Sequence, residues 1–147
     1  MDEFAWHVRV RSTGRGRATA YARQHQFAVG EPIVFDAEAD AVAGIEYVLG
    51  ALGADLVTGL RRAARRHRVA LDHVEAVVTG TLDNPLTYLG VVGEEGHPGL
   101  DRIVARVYAD ADPGELLDGA WQEALTRSPF VGVLRRAVEL DLSLTTA

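Results

Sequence analysis

Apolar and polar residues alternate along both ends of the chain, a pattern that predicts strands. The first two predicted strands are half-buried and joined by a turn containing Gly14 and Gly16. A third short strand is predicted to stop at Glu31-Pro32. The predicted strands cover residues 4–13, 17–24, 25–30, 73–82, 100–109 and 138–144.

Between these strands, the spacing of apolar residues changes to the one that is typical of helices. From Ile45 to about His67, apolar residues recur at spacings of three and four and predict a long helix with one apolar stripe. Asp112-Pro113-Gly114-Glu115 predicts a capping box that opens a helix to about Thr126. Ser128-Pro129 predicts a second N-cap and a short helix to about Ala137. The glycine-rich segment 83–99 is expected to be a loop with room for one helical turn. The order of elements indicates an α+β fold.

The composition excludes several kinds of chemistry. The 147 residues suit a single domain, 1–147, and no cysteine is present, which rules out disulfides, thiolate metal sites and thiol nucleophiles. All 15 basic residues are arginine, so no lysine is available for a Schiff base. A net charge of −6 argues against nucleic acid as the main partner. The sequence has neither a long apolar stretch nor the pattern of a signal peptide. We therefore expect a cytoplasmic location and no membrane partner.

Asp55 is the unusual position of the long helix, because it interrupts the most apolar part of that helix. On a helical wheel it lies about 60° from Leu52, at the edge of the stripe, where a carboxylate needs a partner. Arg62 shares its angle but lies roughly 10.5 Å further along the axis, so a partner from another element or another chain is expected. A structural ion pair and a functional carboxylate in a pocket are both open interpretations.

Other polar residues carry weaker signals. Glu46 lies on the opposite side of the helical wheel from Asp55, so a single helix cannot bring the two carboxylates together for acid/base catalysis. The helix dipole favours a glutamate in the first turn, which is a structural explanation for Glu46. Five arginines lie near the C-terminal end of the helix, where positive charge interacts favourably with the helix dipole. We interpret them as a solvent-exposed face of the helix, and nucleic-acid binding is the alternative. The five arginines are Arg61, Arg62, Arg65, Arg66 and Arg68. The histidines show no metal-ligand spacing, and His97 beside Glu94 and Glu95 in a loop is a weak metal signal, so no metal and no cofactor are expected.

These segments together resemble the OsmC/Ohr family of osmotically inducible and organic hydroperoxide resistance proteins. In the long helix, Glu46 matches the family's glutamate, and Asp55 stands at the position of the peroxidatic cysteine. Ser128, before Pro129, stands at the position of the second cysteine. Segments 25–32 and 71–75 also resemble the family, and the likeness covers nearly the whole chain.

The resemblance implies an OsmC-like fold, in which antiparallel strands wrap a long central helix and two chains form an intertwined homodimer. It also implies a pocket at the dimer interface around Asp55, Glu46, Ser128 and an arginine that matches Arg15 or Arg17. We predict that Asp55 pairs with one of these two arginines, because a carboxylate is the nearest anionic replacement for the family's thiolate.

Family members of the peroxidase type reduce organic hydroperoxides in oxidative stress defence. Neither a carboxylate nor a hydroxyl can form a sulfenic acid, so the missing cysteines exclude this chemistry. The sequence therefore predicts a peroxidase-inactive protein that binds a small apolar or peroxide-like ligand or serves a structural role. The alternative is an enzyme of a non-thiol, hydrolase-like type with Asp55 as base or nucleophile.

Overall fold

The computed structural model describes residues 4–14, 16–31 and 40–146. The chain divides into two compact units, Met1–Val48 and Leu49–Ala147. The sheets belong one to each unit, and each unit is described by itself. The single-domain interpretation of residues 1–147 stays a prediction.

The first unit holds an antiparallel sheet in the order β1-β2-β3. Gly14, the last residue of β1, and Gly16, just before β2, have φ angles of 103° and 71°, which glycine adopts without strain. The Tyr47 hydroxyl donates a hydrogen bond of 2.7 Å to the carbonyl of Ala28, and its ring packs 4.8 Å from that of Phe27. The strands are β1 (Arg9–Gly14), β2 (Arg17–Ala22) and β3 (His25–Val29).

The prediction that the first strand is half-buried is wrong. All residues of β1 are exposed, and the strand begins at Arg9 rather than near Phe4. The physical reason is that no other part of the described chain covers either face of β1, whose exposure is that of the single chain. Alternation along a sequence reports which side chains share a face of a strand, but not whether another layer covers that face.

The second unit contains a mixed sheet in the order β4-β5-β6, with most of the long helix α1. β4 and β5 pair antiparallel, whereas β5 and β6 pair parallel, so the chain needs a crossover that the helices α3 and α4 provide. The elements are α1 (Gly44–Arg66), β4 (Ala70–Leu82), α2 (Pro85–Tyr88), β5 (Leu100–Asp112), α3 (Leu117–Arg127), α4 (Pro129–Leu134) and β6 (Glu139–Thr146).

The apolar stripe of α1 packs within its own unit, against the central strand β5 and against α3. Leu52, Leu56 and Leu60 of the stripe are almost completely buried, together with Ile103 of β5 and Leu117 of α3. The stripe is therefore used by this chain's own core and gives no separate argument for a homodimer.

The predicted capping box at Asp112 is wrong, whereas the cap at Ser128 is confirmed. Asp112 ends β5, where it pairs with Ala70, and Pro113 has an extended backbone without a side-chain cap. A single 3-10 turn, Gly114–Leu116, follows, and α3 begins at Leu117. Strand pairing to β4 has overridden the local preference for a helix start. The Ser128 hydroxyl accepts a hydrogen bond from the backbone N–H of Val131, as an N-cap does.

Candidate functional site

Asp55 and Ser128 are joined through their side chains, although 73 positions separate them in the sequence. Asp55 is half-buried in α1, and Ser128 is buried at the start of α4. The Ser128 hydroxyl donates a hydrogen bond to Oδ2 of Asp55 and accepts one of 3.0 Å from the backbone N–H of Val131. The single proton of the hydroxyl and one of its lone pairs are therefore both engaged.

Asp55 reaches this position because it lies at the edge of the apolar stripe. Leu52 and Leu56 turn inward and are buried, and the carboxyl group between them stays partly exposed. The Ser128-Pro129 step ends α3 and starts α4, which brings the serine hydroxyl to the carboxylate. The structure thus brings together the two residues at the positions where the family resemblance places cysteines.

A small cleft of about 50 Å³ opens beside this pair. Polar and apolar surface contribute about equally to its wall, and three arginines and Asp55 are among the residues that line it. A volume of this size holds a group of a few atoms, whereas sites for drug-sized molecules need about 300 Å³ or more. The lining residues are Asp55, Gly59, Arg62, Arg66, Ala124, Arg127, Ser128 and Pro129.

Glu123 of α3 connects three cationic or ionisable side chains next to the cleft. Its carboxylate accepts from Arg66 Nε at 2.7 Å and contacts Arg127 Nε at 3.0 Å and His67 Nε2 at 2.8 Å. The hydrogen bond with His67 is the largest cause that lowers the pKa of Glu123, and Arg66 and Arg127 act in the same direction, while loss of hydration acts against them. Sequence reasoning did not single out Glu123. Its only local signal is the spacing of four to Arg127, because Arg66 at the end of α1 and His67 in the turn after it are more than fifty positions away.

We expect Glu123 to make stability depend on pH. Its pKa in the folded protein lies below the ordinary 4.5, so its stabilising contribution is present above that value and is lost as pH falls through the folded pKa. The difference in unfolding free energy between wild type and Glu123→Gln should therefore be largest near neutral pH and shrink under acid. Urea unfolding across acidic pH measures it, with the exposed Glu115→Gln as control. A difference that stays constant with pH would contradict the prediction.

The other predicted site residues have partners of their own within the first unit. Glu46 accepts a hydrogen bond of 2.7 Å from the backbone N–H of Ala43, which supports its interpretation as a first-turn residue of α1. Arg17 forms an ion pair with Asp40. Arg15 lies outside the described residues. The pairing of Asp55 with Arg15 or Arg17 stays a prediction.

The loop after β4 uses its acidic residues and histidine to hold its own shape. The Asn84 amide donates to the Glu94 carboxylate at 3.2 Å and to the Glu95 carbonyl at 2.9 Å, and Nδ1 of His97 accepts from the backbone N–H of Gly99 at 3.1 Å. Within residues 4–14, 16–31 and 40–146, no group of three or more histidines or acidic residues is arranged to hold a metal ion. None of the helices in these ranges has the length and apolar character needed to span a membrane.

Comparison with known proteins identifies the fold. No protein-family model and no curated protein matches the sequence. An OsmC-like protein from Mycoplasma pneumoniae has a similar structure, with a TM-score of 0.82 and 16% sequence identity over 100% of this chain and 99% of that one.

Two further structures are similar over almost their whole lengths. The organic hydroperoxide resistance protein OsmC from Legionella pneumophila has a TM-score of 0.73 at 12% identity, covering 99% of both chains. OhrB from Bacillus subtilis, an organic hydroperoxide resistance protein, has a TM-score of 0.66 at 16% identity, covering 97% of this chain and 98% of that one. The chain therefore has the α+β, OsmC-like fold, which confirms the resemblance seen in its sequence.

Proposed function

We propose that this chain is a redox-inactive OsmC-like protein that binds a small ligand at the cleft beside Asp55 and Ser128. The observation that carries the proposal is the hydrogen bond between these two side chains, at the positions of the family's reactive cysteines. Oxygen replaces sulfur at both positions. The chain therefore has neither the thiolate that attacks the peroxide nor the second thiol that reacts with the resulting sulfenic acid. The charged lining of the cleft favours a polar ligand over an apolar one.

The test is an assay of hydroperoxide reduction. Purified protein supplied with a dithiol and cumene hydroperoxide or tert-butyl hydroperoxide should show no turnover above a heat-inactivated control. The same assay on a cysteine-containing organic hydroperoxide resistance protein shows that the conditions support the reaction. Turnover by the cysteine-free chain would overturn the proposal.

A hydrolase-like enzyme is the second candidate, because a hydroxyl that donates to a carboxylate is also the arrangement of a nucleophile and its base. Two features weigh against it. Ser128 is only 8% exposed, and its oxygen already accepts the N-cap hydrogen bond from Val131. Hydrolysis of p-nitrophenyl acetate that disappears in both Ser128→Ala and Asp55→Asn would favour this candidate over the binding role.

We infer that the protein forms a homodimer, as the family resemblance implies. Support comes from the segment before β1 and from β1 itself, where large apolar side chains are mostly exposed in the single chain, a feature of surfaces that bind a partner. These side chains are Phe4 (82% exposed), Trp6 (85%), Val8 (57%) and Val10 (60%). A cytoplasmic location also stays a prediction.

Light scattering tests the homodimer. At micromolar concentration the measured mass should be about twice the 15.9 kDa of one chain. Trp6→Arg should lower the mass toward that of a monomer, because it places a charge in the exposed apolar segment. Val92→Arg serves as control, since Val92 is 98% exposed but lies in a loop of the other unit. A wild-type mass near that of one chain would refute the homodimer.

A further inference from the structure

The cleft beside Asp55 concentrates positive charge in a protein that is acidic overall. The chain has a net charge of −6, yet three arginines line this one cleft: Arg62, Arg66 and Arg127. Asp55 and the neighbouring Glu123 offset part of this charge but not all of it. Arginines that converge on a concave surface are suited to bind anions, because the guanidinium group matches the geometry of phosphates and carboxylates.

The hydrogen bonds around Glu123 leave donors available in the cleft. Arg66 and Arg127 both contact Glu123 through Nε, so the terminal amino groups of each guanidinium are not used in these contacts. Glu123 also holds both side chains in place, which reduces the entropy lost when they bind a ligand. Arg62 forms no ion pair with any residue in the part of the chain that the structure describes.

Asp55 adds a requirement for a proton on the ligand. Ser128 donates to Oδ2 of this carboxylate, and the second oxygen is left to accept from a bound group. A fully deprotonated anion would be repelled there, whereas an anion that keeps a hydroxyl can donate to the carboxylate while its other oxygens accept from the arginines. The volume of about 50 Å³ limits the bound group to a few atoms.

We propose that the cleft between Arg62, Arg66, Arg127 and Asp55 binds a small oxoanion that retains a protonated oxygen, such as hydrogen phosphate or the singly protonated form of a phosphomonoester headgroup. The inference rests on the proposed binding role of the cleft and gives that role a ligand class. Chemically, the arginines select an anion, and Asp55 selects a protonated one.

Calorimetric titration at neutral pH with inorganic phosphate tests the proposal, with sulfate as the matched anion that has no hydroxyl. Phosphate should bind saturably and sulfate should bind at least about ten-fold more weakly. Arg62→Gln should weaken phosphate binding by about ten-fold, because it removes a charge-assisted hydrogen bond. Arg65→Gln, in the same helix turn but outside the cleft, should leave it unchanged.

Asp55→Asn tests the selectivity separately. The asparagine oxygen can still accept from Ser128, so the local structure is retained, but the negative charge is lost, and sulfate should then bind about as well as phosphate. A titration with a phosphomonoester at about pH 5.5, where most of it keeps its second proton, distinguishes a free phosphate site from one that takes a headgroup. The inference is overturned if Arg62→Gln and Arg65→Gln weaken binding equally, or if neither phosphate nor the phosphomonoester binds saturably. If hydroperoxide turnover is also absent in that case, the redox-inactive assignment stands and only the anion assignment fails.

Discussion

Replacing Leu56 by aspartate should unfold the protein under conditions where the wild type is folded. The Leu56 side chain is 1% exposed in the core formed by α1, β5 and α3, and an aspartate there would be a buried charge without a partner. We expect a loss of about 4 kcal/mol or more in unfolding free energy, which lies at the extreme of single substitutions. Urea unfolding followed by circular dichroism measures the change.

Thr58→Asp is the matched control for this prediction. Thr58 is exposed on the same helix and its hydroxyl only contacts the carbonyls of its own helix, so the same new side chain enters water instead of the core. Its effect should stay within about 0.5 kcal/mol. Similar stabilities for the two variants would mean that the stripe of α1 does not form the core of the second unit.

Replacing both Asp55 and Ser128 by cysteine should produce a disulfide in an otherwise cysteine-free chain. The hydrogen bond between the two side chains places these positions side by side, and because the Asp55 oxygen lies one bond beyond where Sγ would be, we expect a small local adjustment to bring the two Sγ atoms together. A crosslink between positions 73 apart should stabilise the oxidised form by about 4 kcal/mol relative to the reduced one in the loop-entropy account. Titration of free thiols in denaturant and unfolding with and without reductant provide the two measurements.

A second double variant controls for accidental oxidation. Asp55→Cys combined with Thr126→Cys closes a loop of nearly the same length, but Thr126 is exposed on α3 and its hydroxyl contacts the carbonyl of Gln122 on that helix. This pair should keep its thiols. Persistent thiols in the Asp55→Cys, Ser128→Cys protein after oxidation would mean that α4 does not hold residue 128 beside α1.

Much of the fold follows from local patterns in the sequence. The spacing of leucines predicts α1 nearly to the residue, and Ser128-Pro129 predicts the start of α4, because both signals act between neighbours in the chain. Where the predictions failed, pairing across the sheet decided the outcome. Asp112 has the local signature of a helix cap but takes part in the ladder to β4. Burial of β1 could not be predicted either, because it depends on what covers the strand and not on its own alternation.

For the candidate site, the sequence by itself determined which chemistry is absent and which residues stand out. The lack of cysteine excludes a thiol cycle, and the carboxylate of Asp55 at the edge of an apolar stripe has to find a partner. Only the tertiary structure decided that Ser128 hydrogen-bonds to Asp55, and that Glu123 holds Arg66 and Arg127 next to the pair. Local rules extend over about four residues of a helix, which covers Glu123 and Arg127, whereas the contacts of Glu123 with Arg66 and of Ser128 with Asp55 join side chains more than fifty positions apart. The family resemblance implies that Asp55 and Ser128 share a pocket, but the hydrogen bond between them and the contact of Glu123 with Arg66 depend on how α1, α3 and α4 pack.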